Sequence, residues 1–226
     1  MNYEQILKKL KSRANKKNVE GMARFGINPK NTLGISVYVL RSMAKEIGKE
    51  HKLAQKLWNS KIHEARLLAV FIDEPEKVTD SQMEKWAAVF DSWDVCDQAC
   101  TDLFDKTPLG WKKAIEWSKR KEEFVKRGAF ALMAGLASHD KSASNADFEK
   151  LLTIIERESW DERNFVRKAV NWALRNIGKR NKILNKKAIM TAKRIRKMDS
   201  KAAKWIASDA LRELTSENVQ KRLKKN

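Results

Sequence analysis

The chain has 226 residues, 42% hydrophobic and 34% charged, with only 3 prolines and 8 glycines. It is long enough to bury a core without disulfide or metal staples, too apolar for disorder, and too poor in turn residues for a many-stranded β protein. The 48 Lys and Arg against 29 Asp and Glu leave a net charge of +19, a balance that selects a polyanionic partner, nucleic acid ahead of an anionic membrane surface.

From the start of the chain, Met1 to Lys17 is amphipathic but interrupted by Lys8, Lys9 and Lys11. No apolar run of signal-peptide or transmembrane length follows, so a soluble, cytoplasmic protein without membrane contact is expected. Helical stripes come next: Ile35, Val39, Met43 and Ile47, then Leu53, Leu57 and Trp58, then Leu67, Leu68, Phe71 and Ile72. The breaks between stripes are short and lie at Gly48, at Asp73 to Pro75, at Thr107 and Pro108, and from Ser138 to Asp147. Breaks of this size predict one continuous all-α domain over residues 1–226 rather than two domains on a tether.

Cys96 and Cys100 sit four apart on a predicted helix, while His51, His63 and His139 are scattered. A tetrahedral metal site needs about four ligands at workable spacing, so reduced thiols and no metal are expected.

Three segments repeat a pattern of a polar residue, a spacer, an alanine and helically spaced apolar residues: Val125 to Leu136, Val166 to Ile177 and Ala207 to Leu214. Their anchors Arg127, Arg167 and Ser208 are spaced by 40 and 41, and His63 to Ile72 is a looser copy. Any amphipathic helix with Ala and Arg resembles this in isolation; the regular period favours stacked helix pairs, a HEAT-like solenoid whose second helices line a concave face. Such a solenoid is expected to be monomeric. Trp58 and Trp205 are expected in its core.

Charge is concentrated late in the chain, where residues 161–226 hold 20 Lys and Arg against 6 Asp and Glu. A basic concave face would track phosphates, and Arg167, Lys168, Arg175 and Lys179 are the expected contacts. Against this background Asp91-Ser92-Trp93-Asp94-Val95-Cys96-Asp97 is an acidic, aromatic helix start. Asp91 or Ser92 suits an N-cap, and Asp94 suits the positive end of the helix dipole. Asp97 lies one turn after Trp93 on the same face, which places a carboxylate beside an indole. On a DNA-binding surface such a carboxylate repels phosphate, so it needs a cationic partner or a chemical task.

These residues resemble the HEAT-repeat alkylpurine DNA glycosylases, the AlkD-type DNA alkylation repair proteins. The resemblance rests on Met22-Ala23-Arg24-Phe25 with Leu33-Gly34-Ile35, on Ser92 to Asp97, on Arg127-Gly128-Ala129, and on Lys168-Ala169-Val170-Asn171-Trp172-Ala173-Leu174-Arg175. It implies Asp97 as the catalytic carboxylate, Trp93 and Trp172 as the aromatic pair flanking the lesion nucleotide, and Arg127 as a contact to phosphate. The family pattern has a tyrosine where this chain has Phe25, so Phe25 can supply packing to the lesion but no hydroxyl.

The implied reaction is hydrolysis of the N-glycosidic bond of N3- or N7-alkylated purines in duplex DNA, without a cofactor. No lysine Schiff-base motif or iron–sulfur cysteine set is present. Two other readings remain open: a non-catalytic HEAT-repeat protein that prefers damaged, bent or branched DNA, and a scaffold that grips an acidic protein.

Overall fold

The computed structural model describes residues 1–225, and the chain forms two compact units, Met1–Thr107 and Pro108–Asn226. Among the described residues every regular element is helical. The first unit holds α1 (Tyr3–Lys11), α2 (Lys16–Arg24), α3 (Val37–Ile47), α4 (His51–Asn59), α5 (His63–Ile72), α6 (Asp80–Ala87) and α7 (Trp93–Gln98). A π-helical turn (Ala99–Leu103) and a 3-10 turn (Phe104–Lys106) follow α7. The second unit holds α8 (Gly110–Trp117), α9 (Glu123–His139), α10 (Asn145–Glu158), α11 (Asn164–Gly178), α12 (Lys182–Ile195), α13 (Lys201–Leu214) and α14 (Glu217–Lys225).

Local chemistry explains most of the boundaries. Gly48 ends α3 at a φ of 79°, a left-handed conformation that glycine adopts at little cost. Pro75 lies just beyond α5, and the change of unit falls at Thr107 and Pro108. The predicted break from Ser138 to Asp147 is shorter than expected, because Ser144 and Asp147 form a reciprocal capping box that starts α10 at Asn145.

In the first unit α5 is the central helix. It packs against α1, α3, α4 and α7, and eight of its ten residues are buried, which its mostly apolar sequence allows. Trp58 and Trp86 stack face to face with centroids 3.8 Å apart, so Trp58 is a core residue as expected.

In the second unit the helices form two layers. Helix α9 packs on α8 and α11, α11 on α13, and α10 on α12, so first helices meet first helices and second helices meet second helices. Side-chain bonds between neighbouring repeats link Asn171 to Asp209, Arg175 to Glu213, and Arg194 to Glu156, each pair 38 residues apart. Arg167 in the same register lies over the Trp205 ring, 5.3 Å from guanidinium carbon to centroid. The contact partner of Arg167 is therefore Trp205, about one turn before the Ser208 that the sequence pattern selected. Trp205 is also not a core residue: it is 39% exposed, with the Arg167 guanidinium over its ring.

Candidate functional site

The α2–α3 connection is built around Glu64, in the first turn of α5. Its carboxylate is wholly buried and accepts the backbone N–H groups of Leu33 (2.8 Å), Gly34 (2.7 Å) and Ile35 (3.2 Å). Three such bonds satisfy a buried anion and clamp the loop in one conformation. Gly34 has a φ of +80°, and a Cβ there would lie 2.3 Å from the Asn15 carbonyl oxygen, so only glycine fits. Nothing in the sequence had marked Glu64; its signal is a carboxylate at the start of a mostly apolar helix.

The start of α7 is tied to this loop region. Ser92 occupies the N-cap position but makes no capping bond; its hydroxyl accepts the Asn28 backbone N–H at 2.9 Å. Asp91 accepts from the Asn28 amide at 2.9 Å. The expected capping role is thus replaced by a tertiary one, because the Asn28 loop supplies donors that compete for the same oxygens. Asp94 accepts the Val95 N–H at 2.9 Å and meets His63 Nε2 at 2.8 Å. Burial of His63 opposes its charged form, but the hydrogen bond and charge of Asp94, helped by Glu64 and Asp91, outweigh this and raise its pKa above the ordinary value. Two helix starts, α5 and α7, are joined through this pair.

These ties place the candidate residues of the first unit. The Trp93 indole N–H donates to the Phe25 carbonyl at 3.0 Å, which fixes the ring against the end of α2. Phe25 itself is 76% exposed, so its side chain makes little packing contact within the protein. Both residues line an open groove of about 740 Å³, together with Lys17, Arg24, Gly34 and Ile35. Asp97 lies one turn beyond Trp93 and is only 8% exposed. Its backbone carbonyl accepts the Thr101 hydroxyl (2.8 Å) where α7 widens into the π-helical turn. The Cys96 and Cys100 thiols are free and buried on this segment; burial above all, then the neighbouring Cys96 and the charges of Asp97 and Asp105, pushes the Cys100 thiol well above its ordinary pKa. The Cys100 thiol is therefore held in its neutral form at physiological pH.

The remaining candidates belong to the second unit. Arg127, in α9, is buried and donates to the Phe165 carbonyl at 2.7 Å, securing the first turn of α11. Trp172 is half-buried two turns further along α11. Lys168 is exposed and has no ion pair among the described residues. Arg175 and Lys179 both pair with Glu213, the latter at 2.6 Å. Burial raises the pKa of Glu213, but the bonds from Lys179 and Arg175 prevail and hold it below the usual carboxylate range.

The structure thus brings Phe25 and Trp93 together in the first unit, with Asp97 on the same helix as Trp93. It ties Arg127 to the helix that carries Trp172 in the second. Much of the late positive charge is already engaged: Arg163 pairs with Asp161, Arg194 with Glu156, and Arg180 donates to the Ala137 and Ala143 carbonyls. Lys193, Arg196 and Lys197 are exposed without an ion pair among the described residues.

A search of curated proteins finds no match. Among solved structures, one described as representing a new family of proteins related to the HEAT-like repeat DNA glycosylases, with affinity for branched DNA structures, superposes with a TM-score of 0.80 at 16% identity, covering 99% of this chain and 96% of that one. A designed armadillo repeat protein in complex with a (KR)4 peptide matches with a TM-score of 0.37 at 15% identity over 82% of this chain and 88% of that one. The first match shows that the fold is HEAT-like, as the repeat pattern predicts. The sequence pattern of the family described as DNA alkylation repair enzyme matches residues 6–214. On that match over nearly its whole length, the chain belongs to the DNA alkylation repair enzyme family.

Proposed function

We propose that the protein is a DNA glycosylase that releases cationic N3- or N7-alkylated purines from duplex DNA by hydrolysing the N-glycosidic bond. The observation that carries this reading is Asp97, a buried carboxylate one helical turn from a groove-lining tryptophan, in a chain of the DNA alkylation repair family. A ring-alkylated purine is already positively charged and leaves without protonation, so no general acid is required. As the bond breaks, positive charge moves to the deoxyribose. Asp97 stabilises that oxocarbenium-like charge and orients or deprotonates the attacking water. The ring face of Trp93, and in the second unit that of Trp172, can each hold an electron-poor nucleotide. Phe25, exposed at the groove, adds apolar contact.

Arg127, Arg167, Lys168, Arg175 and Lys179 form the proposed phosphate contacts. Lys168 is the most available of these on its exposure, whereas Arg175 and Lys179 would share their charge with Glu213. The protein acts in this reading as a cytoplasmic monomer.

The test is release of free methylated base from alkylated duplex DNA. Asp97→Asn keeps the shape and removes the charge, and should slow excision roughly 10²- to 10³-fold, as loss of one preorganised electrostatic stabiliser does. Binding to undamaged duplex should hold or rise. Wild-type excision by folded Asp97→Asn protein would overturn the assignment. The second reading, binding of branched DNA without catalysis, is favoured by the described affinity of the similar solved structure; it predicts no base release and tighter binding of a junction than of a linear duplex.

A further inference from the structure

In the second unit the turns that join first to second helices lie side by side. Arg163 of the α10–α11 turn donates to the Lys121 carbonyl of the α8–α9 turn at 2.6 Å. On its other side, the Ser200 hydroxyl of the α12–α13 turn donates to the Glu162 carboxylate at 2.8 Å, with its oxygen 3.4 Å from the Trp160 carbonyl. The three turns therefore form one continuous edge, and Trp160 sits in the middle of it.

Trp160 is 55% exposed, which leaves a large apolar ring in water beside a groove of about 810 Å³. Its position is rigidly supported. The Lys126 ammonium lies 5.2 Å from the ring centroid, is itself 5% exposed, and is anchored to Glu158 at 2.6 Å and Asp161 at 3.1 Å. Burial works against the Asp161 charge, but the bonds from Arg163 and Lys126 hold its pKa below the ordinary value, so the anchor stays ionised at neutral pH.

Of the carboxylates on this edge, Glu158 and Asp161 are taken up by these bonds, Glu162 also accepts the Ala202 N–H at the start of α13, Glu122 pairs with Arg120 at 2.5 Å, Asp199 pairs with Lys204 at 3.1 Å, and the charge of Glu123 acts on Arg163. The cations without an ion pair among the described residues are Lys119 and Lys121 of the α8–α9 turn, which line the groove, and Arg196 and Lys197 of the α12–α13 turn, all exposed. An exposed, immobilised indole between free cations is the arrangement that binds an unpaired nucleotide, with the base stacked on the ring and the flanking phosphates on the cations. A base-paired duplex cannot use the ring, because its bases are already stacked on each other.

We infer that the edge carrying Trp160 is a second DNA site, one that takes an unpaired stretch of strand next to a duplex. This rests on the DNA-binding part of the function proposed above and is independent of Asp97. The probes are a blunt undamaged duplex and the same duplex with a short single-stranded thymidine tail, each fluorescein-labelled and titrated at one fixed salt concentration.

Wild-type protein should bind the tailed duplex about tenfold more tightly than the blunt one. Trp160→Ala should abolish that preference and leave blunt-duplex affinity unchanged, and Trp160→Phe should retain most of it. Trp160→Leu fills space without stacking, and should lose the preference while remaining folded. Equal binding of tailed and blunt duplex by wild type, or a full preference in Trp160→Leu, would overturn this inference and leave the glycosylase reading intact. Failure to bind either probe would overturn both.

Discussion

Replacing Glu64 by Gln tests whether one buried carboxylate organises the groove beside Trp93. The Glu64 oxygens accept three backbone N–H groups, with Leu33 on one oxygen and Gly34 and Ile35 on the other. A glutamine side chain has one carbonyl oxygen and one NH2 group, so whichever way it turns, at least one N–H faces a donor. The surviving bonds lose their charge assistance. A hydrogen bond to a charged group contributes roughly 1.5 to 3 kcal/mol net, and an orphaned buried donor costs roughly 1 to 3 kcal/mol, so the substitution should destabilise the first unit by about 3 kcal/mol. With a urea slope of roughly 1 to 3 kcal/mol per M, the unfolding midpoint should fall by about 1 to 3 M. Tryptophan fluorescence reports it, since Trp58 and Trp86 stack within this unit. An unchanged midpoint in Glu64→Gln would show that the Leu33–Ile35 loop is held by something other than this carboxylate.

Gly34→Ala attacks the same loop from its backbone: positive φ and the contact to the Asn15 carbonyl should together cost about 2 kcal/mol or more in thermal or urea unfolding. The His63–Asp94 pair sets a pH dependence. Because the folded pKa of His63 is raised, its contribution is complete below the unfolded value of about 6.5 and is lost as pH rises through the folded value. Wild-type stability should therefore fall as pH rises above about 6.5, and His63→Gln should flatten that decline in urea titrations run across the range. Trp58→Ala should cost roughly 3 to 5 kcal/mol as a core truncation. Trp205→Ala, at an exposed ring under Arg167, should cost about 1 kcal/mol; equal losses at the two positions would contradict the burial difference.

The all-helical architecture was legible from composition and periodicity, since 3 prolines, few glycines and repeated apolar stripes permit little else. Punctuation was equally local: Gly48 and Pro75 stop or follow helices for reasons contained in their own backbone chemistry. The placing of Trp93 and Asp97 on one helix was legible too, because positions four apart share a helical face whatever surrounds them.

What the sequence could not give were the partners. Ser92 and Asp91 read as caps, yet their oxygens go to Asn28, which is distant in sequence and close in space. Glu64 carries no partner in its own sequence neighbourhood, and only folding brings three N–H groups of another loop to it. Trp205 read as core, but the 38-residue register of neighbouring helices delivers Arg167 to its ring and leaves it exposed. Arg167, Lys168, Arg175 and Lys179 read as phosphate contacts, whereas the structure divides the late basic residues into cations bound to Glu213, Asp161 and Glu156 and cations that remain in water. The division has a physical basis. Helix formation and termination depend on interactions within a few residues along the chain, whereas pairing of charges and exposure of rings depend on which helix faces which, and that is decided by packing.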